Sequence, residues 1–194
     1  MKTVIMAGGK SSRLGVNREK ALLSLGGATL LERSVAAVRK SKVSDCLVAI
    51  SNHTPRTEQF AKKCGLDIIE TPGHGYHEDA LFLLEHLGCF LSINVDIPFI
   101  SADAINKLHL QTGEVSIACV VPLSLVTFRL SEQSIFAPEE GKKFVWIGLN
   151  YVTPSLKTGY LILEDALLAL NVNTLEDMSL AEKMLSRDGG FARE

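Results

Sequence analysis

Short apolar runs alternate along this chain with segments whose apolar residues recur every three or four positions. Residues 2–7 open it with an almost wholly apolar run, as a strand covered on both faces requires. Gly26-Gly27 predicts a turn. Residues 30–40 then carry helical periodicity, with Leu31, Val35 and Val38 on one face and Glu32, Arg33 and Arg39 supplying charge. Residues 46–50 read as a second buried strand ending at Ser51-Asn52-His53. Thr54-Pro55 predicts a helix start, with threonine at the cap and proline at the first helical position, and this helix ends near Cys64-Gly65. Residues 66–70 form a third strand, followed by a glycine-rich loop through Gly75.

Residues 77–87 predict the next helix, closed by Gly88, and residues 89–95 a strongly apolar strand that delivers Asp96. Ser101 caps a helix to about Leu110, with Asp103 in the first turn, where the helix dipole favours an anion. Residues 115–121 and 144–152 read as strands, the second carrying Gly148 and Asn150. Thr174 and Asp177 have capping-box spacing ahead of a closing helix over 175–185, with Met178, Ala181 and Leu185 on one face. Gly189-Gly190 and the polar tail are expected to fray. The alternation predicts an α/β fold, Rossmann-like and doubly wound, around a mainly parallel sheet. With no linker, repeat or low-complexity run, residues 1–194 are expected to form a single domain. Residues 123–141 carry the weakest pattern and are expected as a small inserted flap over the site.

With 46% hydrophobic and 22% charged residues the composition is that of an ordinary soluble globular protein. The net charge of −2 gives no global attraction to nucleic acid or to an anionic membrane. Cys46, Cys64, Cys89 and Cys119 are widely separated and form no C-x-x-C pair, which argues against structural zinc and a disulfide framework. Three of them, Cys46, Cys89 and Cys119, sit in apolar runs as small buried hydrophobes. A reducing cytoplasm is the expected compartment. The first apolar run stops at the glycines, too early for a signal peptide, and no run is long enough to span a bilayer.

Basic character is concentrated in residues 6–20, MAGGKSSRLGVNREK, where Lys10, Arg13, Arg18 and Lys20 accompany Ser11 and Ser12. Gly8 and Gly9 let backbone amides turn sharply and approach a ligand. Exposed N–H groups beside clustered cations form a polyphosphate site, so Ala7, Gly8, Gly9, Lys10, Ser11 and Ser12 are nucleotide-binding candidates. The spacing fits neither the P-loop nor the three-glycine dinucleotide fingerprint. The alternative is a strand-ending turn with a solvated basic face.

Ligands of open α/β sheets lie beyond the carboxyl ends of the strands. The loop after the first strand, Asn52 after the second, Gly73 to Gly75 after the third and Asp96 after the fourth all fall there. Asp96 stands either as a turn residue or as a cation ligand. Its apolar neighbours, Val95 and Ile97-Pro98-Phe99, favour a bound cation, and magnesium needs only one or two carboxylates beside phosphate and water. Asn52 and Thr54 either read a base or ribose or simply end a strand. Asp79 with Glu78 either orients a ligand or a second metal, or forms an acidic first helical turn. His74 and His77 lack further ligands for a metal pair.

The opening loop resembles the G-G-x-S-x-R-x-G signature, followed by lysine, of sugar-nucleotide-type nucleotidyltransferases, a superfamily that includes the guanylyltransferase of molybdenum-cofactor maturation. Residues 71–79, 147–150 and 171–174 resemble the archaeal GTP:adenosylcobinamide-phosphate guanylyltransferases. That resemblance implies the nucleotide-diphospho-sugar transferase type of fold. It also implies transfer of GMP from GTP to adenosylcobinamide phosphate, with adenosylcobinamide-GDP and pyrophosphate as products, in cobalamin assembly and salvage. It assigns catalysis to Arg13, Lys20 and Asp96, with Asp96 holding Mg²⁺. Nucleotide contacts pass to Asn52, Thr54, Thr71, Gly73, Gly75 and Asp79, and acceptor contacts to Gly148, Asn150, Asn171 and Asn173. Trp146 either packs or borders the corrinoid pocket. Ala21 stands where the family has proline, a departure in backbone stiffness. GTP and a phosphorylated corrinoid are the expected partners, with no nucleic acid and no membrane span; monomer and homodimer remain open. The competing readings are nucleotidyl transfer to another phosphorylated acceptor, such as the molybdenum cofactor, and a catalytically silent nucleotide-binding regulatory module. Glu19-Lys20, where the molybdenum subfamily tends to have Asp-Lys, favours the corrinoid.

Overall fold

The computed structural model describes residues 1–14, 18–130, 135–139 and 141–187. Its first strand, β1 (Lys2–Met6), sends Ile5 to one face of a sheet and Val4 to the other, and both side chains are wholly buried. Burial on both faces is what a parallel strand between helices needs. A short hairpin of β2 (Ser24–Leu25) and β3 (Ala28–Thr29) leads into α1 (Leu30–Lys40). Then β4 (Cys46–Ile50), α2 (Pro55–Lys63), β5 (Asp67–Glu70), α3 (Tyr76–Leu87), β6 (Phe90–Asn94), α4 (Ala102–His109) and β7 (Ser116–Pro122) continue the alternation. Beyond them, β8 (Ile135–Glu139) pairs with β9 (Lys142–Val152), β10 (Thr158–Ile162) forms a sheet edge, and α5 (Leu175–Arg187) is the last described helix.

One eight-stranded sheet runs in the order β10-β7-β9-β6-β1-β4-β5, with β8 attached to β9. β4, β1 and β6 are parallel neighbours, as are β4 with β5 and β7 with β10. β9 runs antiparallel to both β6 and β7. The fold is therefore α/β with a mainly parallel sheet. On the larger face Ile5, Val48, Ile93 and Leu149 pack with Leu31 and Val38 of α1 and Ile105 and Leu108 of α4. On the other face Val4, Ala49 and Phe90 lie beneath Ala80 and Leu83 of α3. No described helix is long and apolar enough to cross a membrane.

The capping residues with local partners behave as the sequence predicts. Ser101 Oγ accepts from Ala104 N at 3.2 Å, while Thr174 Oγ1 and the Asp177 carboxylate exchange hydrogen bonds with each other's backbone N–H at 3.2 and 2.8 Å. Thr54 departs from expectation. It precedes Pro55 at the cap position, but its hydroxyl turns back to accept from Ser51 N at 3.1 Å and makes no bond to α2. The turn at Gly26-Gly27 stands as the sequence predicts, but the two short strands that flank it and the strands β8 and β10 were not predicted. In place of a flap, the described part of residues 123–141 contains a 3-10 turn and β8, which lies along β9. Residues 131–134 and 140, with Gly189-Gly190 and the rest of the tail, lie outside the described residues.

Leu83 is wholly buried under the second face, whereas Leu81 on the same helix is 48% exposed. Leu83→Ala is expected to lower the unfolding free energy by about 2–5 kcal/mol and Leu81→Ala by under about 0.5 kcal/mol. Urea denaturation of the two variants measures the difference.

Candidate active site

A cleft of about 320 Å³ opens at the carboxyl ends of β1, β5 and β6. Its walls are residues 6–11 of the opening loop with Lys20, residues 73–76 with Asp79, and residues 94–96. The backbones here are brought together closely. A Cβ on Gly8 would stand 3.1 Å from the carbonyl carbon of Ile50, and one on Gly73, whose φ is +73°, would stand 2.8 Å from the Ser51 Cβ. Ser51 sits between the two glycines, 3% exposed, and donates its hydroxyl to the Gly8 carbonyl at 2.7 Å. The Asp79 carboxylate, 6% exposed, accepts from Gly73 N at 2.8 Å and so holds the glycine-rich turn ahead of α3. Gly75 begins α3 with no side-chain cap, which leaves first-turn N–H groups at the cleft wall, a setting that favours an anion.

The opening loop is drawn back across the cleft by its own polar groups. Ser11, with φ of 52°, accepts from Lys20 N at 3.0 Å through its hydroxyl. Lys20 Nζ then donates to Asp96 Oδ2 at 3.0 Å and to Asn173 Oδ1 at 2.8 Å. The Asn173 segment is itself fixed, because Val172 N donates to the Asp96 carbonyl at 2.9 Å and Asn173 N to Asp177 Oδ2 at 2.9 Å. Next to Lys20, the Glu19 carboxylate accepts from the backbone N–H of Arg56 at 2.9 Å and of Thr57 at 2.6 Å. Glu19 therefore supplies the cap for α2 that Thr54 does not.

Two oxygens on residues that line the cleft, Asp96 Oδ1 and Asn94 Oδ1, are buried and accept no hydrogen bond from the described residues. An orphaned carboxylate oxygen suits a hard cation, and magnesium is bound through few protein oxygens when phosphates complete its shell. The described residues contain no group of three or more His, Cys, Asp and Glu that could hold a metal by themselves. Gly148, with φ of +79°, abuts Asn94: a Cβ there would stand 2.6 Å from Asn94 Nδ2. Asn150 Nδ2 donates to Tyr76 Oη at 2.8 Å, and that hydroxyl donates to the buried Ser92 Oγ at 3.2 Å. Enclosure of the hydroxyl pushes the Tyr76 phenol pKa up, although its ring leaves the residue 42% exposed. Burial pushes the thiols of Cys46 to about 11 and Cys119 to about 12, so neither is a nucleophile at neutral pH.

Of the residues singled out by sequence, the structure gathers Ala7, Gly8, Gly9, Lys10, Ser11, Lys20, Gly73, Gly75, Asp79 and Asp96 along the cleft. Asn173 joins them through Lys20, and Gly148 and Asn150 stand at the border through Asn94 and Tyr76. Ser12 and Arg13 lie in an exposed 3-10 turn of the same loop, outside the cleft wall, and Gly15 of the signature is outside the described residues. Asn52 is exposed on its turn away from the cleft wall. Thr54 and Thr71 are buried and directed to backbone, Thr71 Oγ1 donating to the Ile50 carbonyl at 3.0 Å. Asn171 lies two residues from Asn173 on the segment before α5. His74 is exposed and faces Glu78 at 3.1 Å. Glu19, Ser51 and Asn94 were not singled out for a role. Their partners are backbone atoms or buried space remote in sequence, which leaves no local signal.

The family described as MobA-like NTP transferase domain matches residues 3–128. The chain is 32% identical, over 97% of its own length and 100% of the relative's, to an adenosylcobinamide-phosphate guanylyltransferase of Methanocaldococcus jannaschii. It is 31% identical to a bifunctional protein GlmU of a Synechococcus strain, over 73% of this chain and 33% of that one. Among solved structures, CMP:2-keto-3-deoxy-manno-octonic acid synthetase complexed with CTP superposes with a TM-score of 0.71 at 12% identity, covering 96% and 99% of the two chains. A nucleotidyl transferase from Methanothermobacter does so with a TM-score of 0.69 at 17% identity, covering 96% and 98%. At such identities these structures establish the fold, that of the nucleotide-diphospho-sugar transferases.

Removing the Glu19 carboxylate frees two N–H groups at the start of α2. Glu19→Ala is expected to lose about 1 kcal/mol of stability, seen as a fall in Tm of about 2–4 °C in thermal unfolding. An unchanged Tm would show that the carboxylate does not hold the helix.

Proposed function

The chain belongs to the MobA-like NTP transferase family, and on that premise we propose that it transfers GMP from GTP to adenosylcobinamide phosphate, releasing pyrophosphate. Its activity class is nucleotidyl transfer. The observation that carries the finer reading is the end-to-end match, at 32% identity, to the relative that bears that activity's name. The site chemistry supports it: a cationic loop, a helix N-terminus and a carboxylate with a free buried oxygen surround one cleft.

A phosphate oxygen of the acceptor attacks the α-phosphorus of GTP, the new P–O bond forms in line, and the bond to pyrophosphate breaks. A phosphate monoester has a second pKa near 6, so the acceptor is largely dianionic at neutral pH and needs no general base. What remains for the protein is alignment and stabilisation of charge. Backbone groups of Ala7, Gly8, Gly9, Lys10 and Ser11 cradle the phosphates from one wall, and Gly73, Gly75 and the first turn of α3 do so from the other. Lys20 turns from Asp96 and Asn173 toward the phosphates and balances the departing pyrophosphate. Arg13, on the exposed turn of the same loop, adds a second cation once the loop meets the nucleotide. Asp96, with Asn94 beside it, would hold Mg²⁺ brought in with GTP, and the ion would supply charge neutralisation across the phosphates. Asp79 acts through Gly73, as a positioning residue. Asn150 and Asn173 remain the acceptor-side candidates, and Gly148 acts through the space it leaves for Asn94.

Pyrophosphate release measured with GTP, with and without adenosylcobinamide phosphate, tests the reading. Release that depends on the acceptor and on guanine, with ATP and CTP inactive, is expected; equal release without acceptor would remove the named substrate. In the same assay Lys20→Ala and Asp96→Asn are expected to lower kcat by about 100-fold or more, near 2.7 kcal/mol of barrier, and Arg13→Ala by more than about tenfold. Turnover within about tenfold of wild type in all three variants would dismiss these roles.

A further inference from the structure

We propose that the aromatic surface around Trp146 on the second sheet face is the platform on which the acceptor's macrocycle lies while its phosphate reaches the cleft. This rests on the function proposed above and adds to it a surface for the non-reacting bulk of the substrate. β9 alternates strictly: Val145, Ile147, Leu149 and Tyr151 enter the main core, so Trp146, Gly148 and Asn150 project to the opposite face. On that face the α3 cluster covers β1, β4, β5, part of β6 and the Val152 end of β9. Around Trp146 the ring contacts come from strands, Phe136 of β8 and Tyr160 of β10. There Tyr160 and Ile162 of β10 are each 50% exposed.

The aromatic side chains on this surface already form a stack. Phe136 lies on Trp146 with centroids 4.1 Å apart and planes 17° from parallel, and Tyr160 closes on both at 5.1 and 5.4 Å. Trp146 and Phe136 are half-buried, while Tyr160 and Ile162 are half exposed, an apolar surface of the kind that takes a partner, and stacked rings present a flat face to a large ring.

Its position selects the occupant. Trp146 is two residues from Gly148 on the same side of the strand, a separation of about 7 Å. Gly148 touches Asn94, which lines the cleft. From the other side, Asn150 donates to Tyr76, whose residue forms part of the cleft wall. Platform and cleft thus share a border made of Gly148, Asn150 and Tyr76. A broad, largely apolar ring carrying phosphate on a short flexible arm satisfies both at once: the ring lies on the aromatic stack and the arm crosses that border. A corrinoid phosphate has this construction, and the amide groups at its rim would meet Asn150.

Trp146 is the chain's single tryptophan, so its emission reports this surface alone. The experiment measures acrylamide quenching of Trp146 in the full chain with GTP and with cobinamide phosphate, together with steady-state kinetics of Tyr160→Ala and Trp146→Ala. The expected result is that the corrinoid shields Trp146 several-fold from acrylamide while GTP does not. Both variants should raise the acceptor KM about tenfold or more, with the KM for GTP within twofold and kcat largely retained. Tyr160 is half exposed, so its truncation leaves the fold intact, which thermal unfolding checks. A wild type that turns over the corrinoid while both variants keep its KM, or while Trp146 stays fully accessible, overturns the platform and leaves the function standing. A wild type inactive with the corrinoid overturns both. Concentration-dependent dimerisation that shields Trp146 without acceptor assigns the face to a second copy of the chain and overturns the platform as well.

Discussion

The ammonium of Lys20, held between Asp96 and Asn173, ties its own loop to two parts of the chain that are 76 and 153 residues from it in sequence. Both members of the Lys20–Asp96 pair are largely removed from water, at 18% and 16% side-chain exposure. A partly desolvated charge requires a partner, and removing one leaves the other uncompensated. One cation therefore joins the opening loop, the end of β6 and the approach to α5. In the proposed reaction a nucleoside triphosphate with its metal would offer both groups better partners, the lysine a phosphate and the aspartate a divalent ion. The pair is then a stable arrangement that the substrate is suited to replace.

Around this centre, much of the polar chemistry is spent on holding backbone in place. Ser51 fastens the Gly8 carbonyl, Asp79 fastens Gly73, Ser11 fastens Lys20, and Glu19 fastens the start of α2. The glycines serve the same end. Gly8 and Gly73 permit approaches to residues 50–51 that a Cβ would obstruct, and Gly148 leaves room for Asn94. Such preorganisation suits the proposed reaction, whose nucleophile would already be ionised, because alignment and fixed charges are then the protein's main contribution.

The parallel half of the sheet is legible in the sequence because its strands are buried on both faces and its helices carry one apolar stripe. Caps with partners three residues away, at Ser101 and at Thr174 with Asp177, are legible for the same local reason. β8 contains Pro138, which argues against a strand, and is tolerated because it pairs on one side, with β9. β10 is an edge strand with half-exposed Tyr160 and Ile162, so no buried run announces it. The location of the site follows from polar residues at strand ends. Which atoms face the cleft does not follow: Thr54, Thr71 and Asp79 have suitable chemistry, yet each is directed to nearby backbone. Glu19 reverses the case, an apparently ordinary loop residue whose carboxylate caps a helix that begins 36 positions later.

The most direct measurement of the central claim is a crystal structure with magnesium and a non-hydrolysable GTP analogue. The account predicts phosphates between residues 8–11 and the first turn of α3, Lys20 Nζ moved from Asp96 onto a phosphate oxygen, and the ion on Asp96. Phosphates bound elsewhere while Lys20 keeps its contact with Asp96 would contradict it.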